Sequence, residues 1–198
     1  IATERIGPDD YSRLNEFDGL FIRTTTAVNH YTYRFARKAE AEGLVVIDDP
    51  GSILRCTNKV FLAELLDRHH LPAPKTLIIH KENVAEVLKK IGLPVILKQP
   101  DSSFSQGVKK ASTEEEYKSL VDQLLEDSDL IIAQEFVPTG FDWRVGLVGG
   151  KVLYVCQYHM APEHWQIYNH SKQGDDALGD AMALPLDEVP PAIIQTAV

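Results

Sequence analysis

The sequence predicts a mixed α/β chain, with a parallel β-α-β start and a small α+β unit behind it. Three observations carry this expectation. Short continuous apolar runs, "LVVI" and "PVIL", alternate with stretches of helical period. Pro72 and Pro74 form a stiff linker between the two units. "DWRVGLVGGKVLYVCQYH" has two alternating runs around Gly149-Gly150, the pattern of a hairpin.

Taken in order, "DGLFIRTTT" (Asp18 to Thr26) reads as a short buried strand. A helix from about Asn29 puts Tyr31, Phe35 and Ala39 on its apolar side, and Gly43 stops it. "LVVIDDPG" reads as an apolar strand closed by a turn. "NKVFLAELLDRHH" reads as a second helix, capped by Thr57 and ending before "LPAP". Beyond the linker come strand "KTLIIH", helix "ENVAEVLKKIG", strand "LPVILKQ", a loop, strand "GVKKA", a helix and strand "LIIAQEFV". Two overlapping capping boxes, Ser112 with Glu115 and Thr113 with Glu116, mark the start of that last helix. After the hairpin, "APEHWQIYNHSKQGDDALGDA" is polar and reads as a functional loop.

Lys+Arg 20 against Asp+Glu 29 gives a net charge of -9, which argues against general affinity for nucleic acid or an anionic membrane. Cys56 and Cys156 lie far apart with no metal-ligand spacing, so both read as buried thiols in a reducing cytoplasm. The start has neither the basic nor the apolar region of an export signal, and no run reaches membrane-spanning length. A first residue other than Met and the apolar end "PPAIIQTAV" suggest a piece of something longer.

Lys98 closes an apolar strand and is followed by the loop "PDSSFSQGV". Its ammonium either reaches solvent or holds an anion that the hydroxyls and amides of the loop also cup. With Gly107 alone and no G-K-[ST], the loop is not a P-loop. Lys59 opens a helix, where its charge opposes the helix dipole, so it is either a tolerated surface residue or an anion ligand. Gln134 and Glu135 end a buried strand, either as a plain exit or as an edge offering N–H and C=O to a flat heterocycle. Asp142 and Arg144 share one strand face. They form a surface ion pair, or Arg144 holds a phosphate or carboxylate while Asp142 accepts from a hydroxyl. Asn169 is turn chemistry or a ligand for phosphate or metal. His159, His164 and His170 fit no zinc spacing and read as loop histidines, and His69-His70 read as partners of a helix C-terminus.

Lys59, Lys98 with its loop, "QEFV", "DWR" and Asn169, in this order, resemble the ATP-grasp superfamily. More closely, the chain is similar to the RimK-like glutamate ligases, the ribosomal protein S6 modification type. The matching phrases are "GLVVIDDPGSILRCTNKVFLAELL", "LPAPKT", "PVILKQPDSSFSQGV", "IIAQEFVPTGFDWRVGLVGGKV" and "YN". The resemblance implies a partial N-terminal domain at 1–56, a central lid at 57–138 and part of a C-terminal subdomain at 139–198. It implies that Lys59 and Lys98 touch the phosphates of ATP, under a loop that includes Ser102, Ser103 and Gly107. Gln134, Glu135, Phe136 and Val137 would line the adenine, and Asp142 the ribose and phosphate side. Arg144 would face the reacting group, with Tyr168 and Asn169 at the cleft mouth. The implied reaction is ATP-dependent ligation of a carboxylate to an amine through an acyl phosphate, with Mg²⁺ (or Mn²⁺), on an amino acid, peptide or protein C-terminus. A nucleotide-binding module without ligase activity is the alternative, and a homo-oligomer is left open. Two departures stand out. The family often has arginines before the Asn, where this chain has "YHMAPEHWQIYN". The family's metal ligands lie in a late E-x-N segment, and the chain stops before one, so its metal ligands are unknown and this stretch alone is expected to be incomplete.

Overall fold

The computed structural model describes residues 1–102 and 107–198. A 3₁₀ segment, Pro8–Glu16, packs against α1 (Tyr31–Ala41), with Leu14 fully buried and Tyr11 meeting Phe35 edge-on at 5.3 Å. Strands β1 (Gly19–Phe21) and β2 (Val45–Ile47) pair in parallel, as the β-α-β pattern predicts. They are not buried as expected: Leu20 and Val46 are half-buried, while Phe21 on the opposite face is 64% exposed. Gly43, at φ +82°, ends α1 with the paired bonds Gly43 N–H to Glu40 O and Leu44 N–H to Ala39 O.

Two expectations fail around residue 57. The "DDPG" turn is instead the start of a helix, α2 (Pro50–Thr57), because Asp49 caps it and Pro50 suits its first turn. Thr57 is the last residue of α2, its hydroxyl donating to Ile53 O at 2.7 Å, and Asn58 caps α3 (Lys59–Arg68). Cys56 is exposed rather than buried, and Cys156 is partly so.

The central unit is one antiparallel sheet of β3 (Thr76–Ile79), β4 (Val95–Lys98), β5 (Val108–Ala111) and β6 (Ile131–Glu135), in the order β3-β6-β4-β5. α4 (Ala85–Lys90) and α5 (Glu114–Asp127) cover one face. There Ile79, Val95, Leu97, Ile131 and Ala133 meet Val87, Tyr117, Val121 and Leu124 in a buried core. The Tyr117 hydroxyl donates to Val84 O at 2.8 Å, and burial pushes its pKa up to about 12. Thr113 caps α5 by accepting from the Glu116 N–H, but the Glu116 carboxylate accepts from the Ser112 N–H rather than from Thr113, so only half of the second predicted box forms, and the Ser112–Glu115 box does not.

β7 (Phe141–Val148) and β8 (Lys151–His159) form the predicted hairpin, with Gly149 and Gly150 both at positive φ as a type I′ turn requires. A third strand, β9 (Ala181–Leu184), pairs with β8 at the end of what reads in sequence as a loop. Gly179 makes the approach possible: an added Cβ would sit 1.8 Å from His159 O. The chain closes with α6 (Pro191–Ala197). Among the described residues no helix is long and apolar enough to cross a membrane.

Candidate active site

Alternation along β4 sends Leu97 into the core and Ile96 and Lys98 to the opposite face. The register extends this second face across the sheet: Gln134 lies opposite Ile96, and Thr76 opposite Gln134. Lys98 Nζ donates to Gln134 Oε1 at 2.6 Å, and Gln134 Nε2 donates to Thr76 Oγ1 at 2.9 Å. Three strands therefore contribute to one polar line.

Lys59 arrives from α3. Asn58 Oδ1 accepts from the N–H groups of Val60 and Phe61, while its Nδ2 donates to Asp101 Oδ1 at 2.9 Å. The Lys59 N–H donates to Pro100 O at 2.9 Å, so the first turn of α3 is fastened to the segment after β4. Lys59 Nζ donates to the Ser102 carbonyl and, at 3.0 Å, to Ser102 Oγ. Gly107 lies against the same segment, its carbonyl accepting from the Gln99 N–H at 3.0 Å. Only glycine suits it, since φ is +66° and a Cβ would meet Gln99 and Ser102 atoms at 2.9 Å. Ser103, the remaining predicted loop ligand, lies outside the described residues.

Burial holds the Lys98 ammonium below the usual lysine range, with Asp142 pulling the other way. Lys59 is lowered by burial and then by Lys98, opposed by Asp101. Both lysines are gripped by neutral oxygens, and among the described residues neither charge is consumed in an ion pair. Two crowded, partly dehydrated cations attract a multiply charged anion strongly.

At the end of β6, the Glu135 N–H and carboxylate are both engaged by the Lys75 backbone, at 2.9 and 2.7 Å. The peptide groups of Phe136 and Val137 make no hydrogen bond among the described residues, which leaves a short edge for a heterocycle. Lys110 Nζ stands 3.7 Å from the Phe136 ring centroid, and Trp165 meets that ring edge-on at 6.0 Å.

Asp142 and Arg144 share a face of β7, opposite Tyr158 and Cys156, and no ion pair joins them among the described residues. The Arg144 guanidinium lies over the Tyr158 ring at 5.1 Å. Tyr168 bridges to Leu178, and its ring stacks on His170 at 6.2 Å. Asn169 is 7% exposed, and its Oδ1 accepts from Ser171 N–H and Oγ, so turn chemistry occupies one end of the amide. It lines an open cleft of about 500 Å³ with Gly107, Lys109, His164, Gln166 and Ser171. Gly107 belongs to both groups, joining the lysine site to this cleft. Asp175 and Asp176 lie exposed in a 3₁₀ turn, and among the described residues no group of three or more His, Cys, Asp or Glu could hold a metal ion.

Sequence reading missed Asn58, Asp101 and Thr76. Asn58 was detectable, as an Asn directly before a helical run. Thr76 depends on a strand pairing with no local signal.

Comparison with known proteins gives the fold and the family. A crystal structure of D-alanine–D-alanine ligase from Bacillus anthracis matches 96% of this chain and 62% of its own, with TM-score 0.72 at 17% identity. A RimK domain ATP-grasp protein from Sphaerobacter thermophilus matches 71% of this chain and 55% of its own, with TM-score 0.61 at 18% identity. At such identities the likeness is one of fold, and that fold is ATP-grasp, which generally uses ATP and a divalent metal. In sequence, the chain is 31% identical over 166 residues to the alpha-aminoadipate–LysW ligase LysX of Saccharolobus solfataricus, covering 80% of this chain and 58% of that protein. It is 27% identical over 144 residues to a probable alpha-L-glutamate ligase of Vibrio vulnificus, covering 71% and 48%. The chain thus spans about half to three-fifths of these relatives. The model of the RimK-like ATP-grasp domain matches residues 56–163, more than half of the chain and the whole lysine site, and the chain belongs to that family.

Proposed function

We propose that the protein is an ATP-dependent ligase that joins a carboxylate to an amine through an acyl phosphate. The observation that carries this reading is the pair of partly buried lysines, Lys59 and Lys98, held by neutral partners, with Lys59 against Ser102. In this reading they neutralise the ATP phosphates, and the free peptide edge at Phe136 and Val137, with Gln134 and Glu135 behind it, receives adenine. Tyr168 and Asn169 flank the cleft mouth. A carboxylate oxygen of the acid attacks the γ-phosphorus and ADP leaves. The amine then attacks the acyl carbon, loses a proton and expels phosphate. Arg144 steadies the charge that spreads over the reacting group, and Asp142 orients it.

The names of the relatives place amino acids among their substrates. We extend this to an amino acid, peptide or protein terminus here, without assigning glutamate. Mg²⁺ (or Mn²⁺) is the metal we expect from the fold. The described residues do not form a ligand set for it, so no step is assigned through it.

The test is ADP and phosphate release with ATP and amino-acid donors, alongside ATP binding. Arg144→Ala should lower kcat on the order of 10²-fold while ATP affinity changes little, since its contact matters most in the transition state. Equal losses in both would remove Arg144 from the chemistry. ATP binding with no turnover for any donor would favour a binding module instead.

A further inference from the structure

The oxygen that holds Lys98 is itself fixed by two more residues. Thr76 Oγ1 donates to Pro74 O at 2.7 Å. A hydroxyl has one hydrogen, so Thr76 can then only accept. Gln134 must therefore turn its NH₂ toward Thr76, at 2.9 Å, and its carbonyl oxygen toward Lys98, at 2.6 Å. Donation runs one way along each arm, from Lys98 to Gln134 and from Gln134 through Thr76 to Pro74. We infer that Gln134 and Thr76 are positioning residues that aim Lys98 at the nucleotide phosphates, Gln134 by holding the ammonium and Thr76 by fixing the orientation of the Gln134 amide. This rests on the reading of Lys98 as a phosphate ligand.

The choice of an amide matters. A carboxylate at this position would neutralise Lys98, whereas a neutral oxygen orients the ammonium and leaves its charge for the ligand. The charged groups acting on Lys98 from neighbouring elements are Asp142 on β7 and Lys59 on α3, with Asp101 acting on Lys59.

ATP titrations by calorimetry from about pH 6 to about pH 10, with melting curves to confirm folding, test this. The series is wild type, Thr76→Val, Gln134→Leu, Gln134→Glu and Lys98→Met, each of the first two substitutions also being combined with Lys98→Met. Thr76→Val and Gln134→Leu should weaken ATP binding by about threefold to tenfold near neutral pH, and should have no further effect once Lys98 is Met. Affinity falls as pH rises and Lys98 loses its proton. Gln134→Leu removes an acceptor from the ammonium, so the fall should move to lower pH. Gln134→Glu adds a negative charge, so the fall should move to higher pH although binding at neutral pH is weaker. A merely structural role would not move the fall in opposite directions. Folded Thr76→Val and Gln134→Leu proteins with wild-type affinity and pH profile would overturn this inference alone, as would losses that persist in the Lys98→Met background. Absence of ATP binding by the wild type would overturn the functional reading and this inference together.

Discussion

Leu97 and Lys98 are neighbours in the chain and face opposite sides of the same sheet. Leu97, fully buried, belongs to a face packed by α4 and α5, where Tyr117 brings a hydroxyl to the buried cluster and donates it to Val84 O. Lys98 belongs to a face where a polar line crosses three strands and two cations sit close together. The first face gains free energy on folding from buried apolar area. The second costs free energy, because charges leave water without a full ionic partner. Strand alternation lets four residues serve both ends, and the packed face offsets what the polar face costs.

The largest expected effect comes from the packed face. Leu97→Ala should lower unfolding free energy by about 2–5 kcal/mol, measured by urea titration, while ATP affinity well below the melting temperature stays near wild type. A matching loss of affinity would show that the two faces are coupled. Lys98→Met should do the reverse. At a hundredfold excess over its dissociation constant, ATP should stabilise the wild type by about 2.7 kcal/mol, and most of that protection should vanish in the variant. Thermal melts with and without ATP decide it, and undiminished protection would take Lys98 out of the site.

The pH dependence of the unliganded protein is a subtler check. Burial lowers the folded pKa of Lys98, and of Lys59, below the ordinary lysine value of about 10.4. Between the lowered value and the ordinary one, the unfolded chain binds more protons than the folded chain. Stability therefore rises with pH across that window. Relative to Lys98→Met, wild type should gain stability as pH climbs toward about 10.4 in denaturant melts, and a trend of opposite sign would mean that Asp142 outweighs burial. Smallest of all, Leu153→Ser on β8, where the side chain is 66% exposed, should change stability by no more than about 0.5 kcal/mol.

Much of this contrast was legible in the sequence. The runs "TLII", "VILK" and "IIAQE" predict the strands, and alternation alone places Lys98 beside Ile96 and Asp142 beside Arg144. The start of α2 was not legible, because "DDPG" suits a turn and a capped helix start equally, and the short run "SILRCT" behind it is too brief to show a helical period. "AMAL" at β9 lacks β-branched and aromatic residues, so its strand character comes from pairing with β8 rather than from propensity. At the site, the residue types and faces could be read. The Lys98–Gln134–Thr76 contacts could not, since they depend on β6 lying between β3 and β4, a long-range arrangement that no local pattern encodes.

That strand order also bears on how the chain folds. The β7–β8 hairpin closes over two residues, whereas the Thr76–Gln134 contact spans 58 positions and requires β6 to slot between two strands made earlier in the chain. Long loops close at a higher entropic cost and form late. Nucleotide recognition should accordingly be among the last properties to mature. In refolding from denaturant, ATP-dependent protection from protease should appear with the slowest phase, after the hairpin has formed, and its appearance in the first phase would rule out this sequence of events.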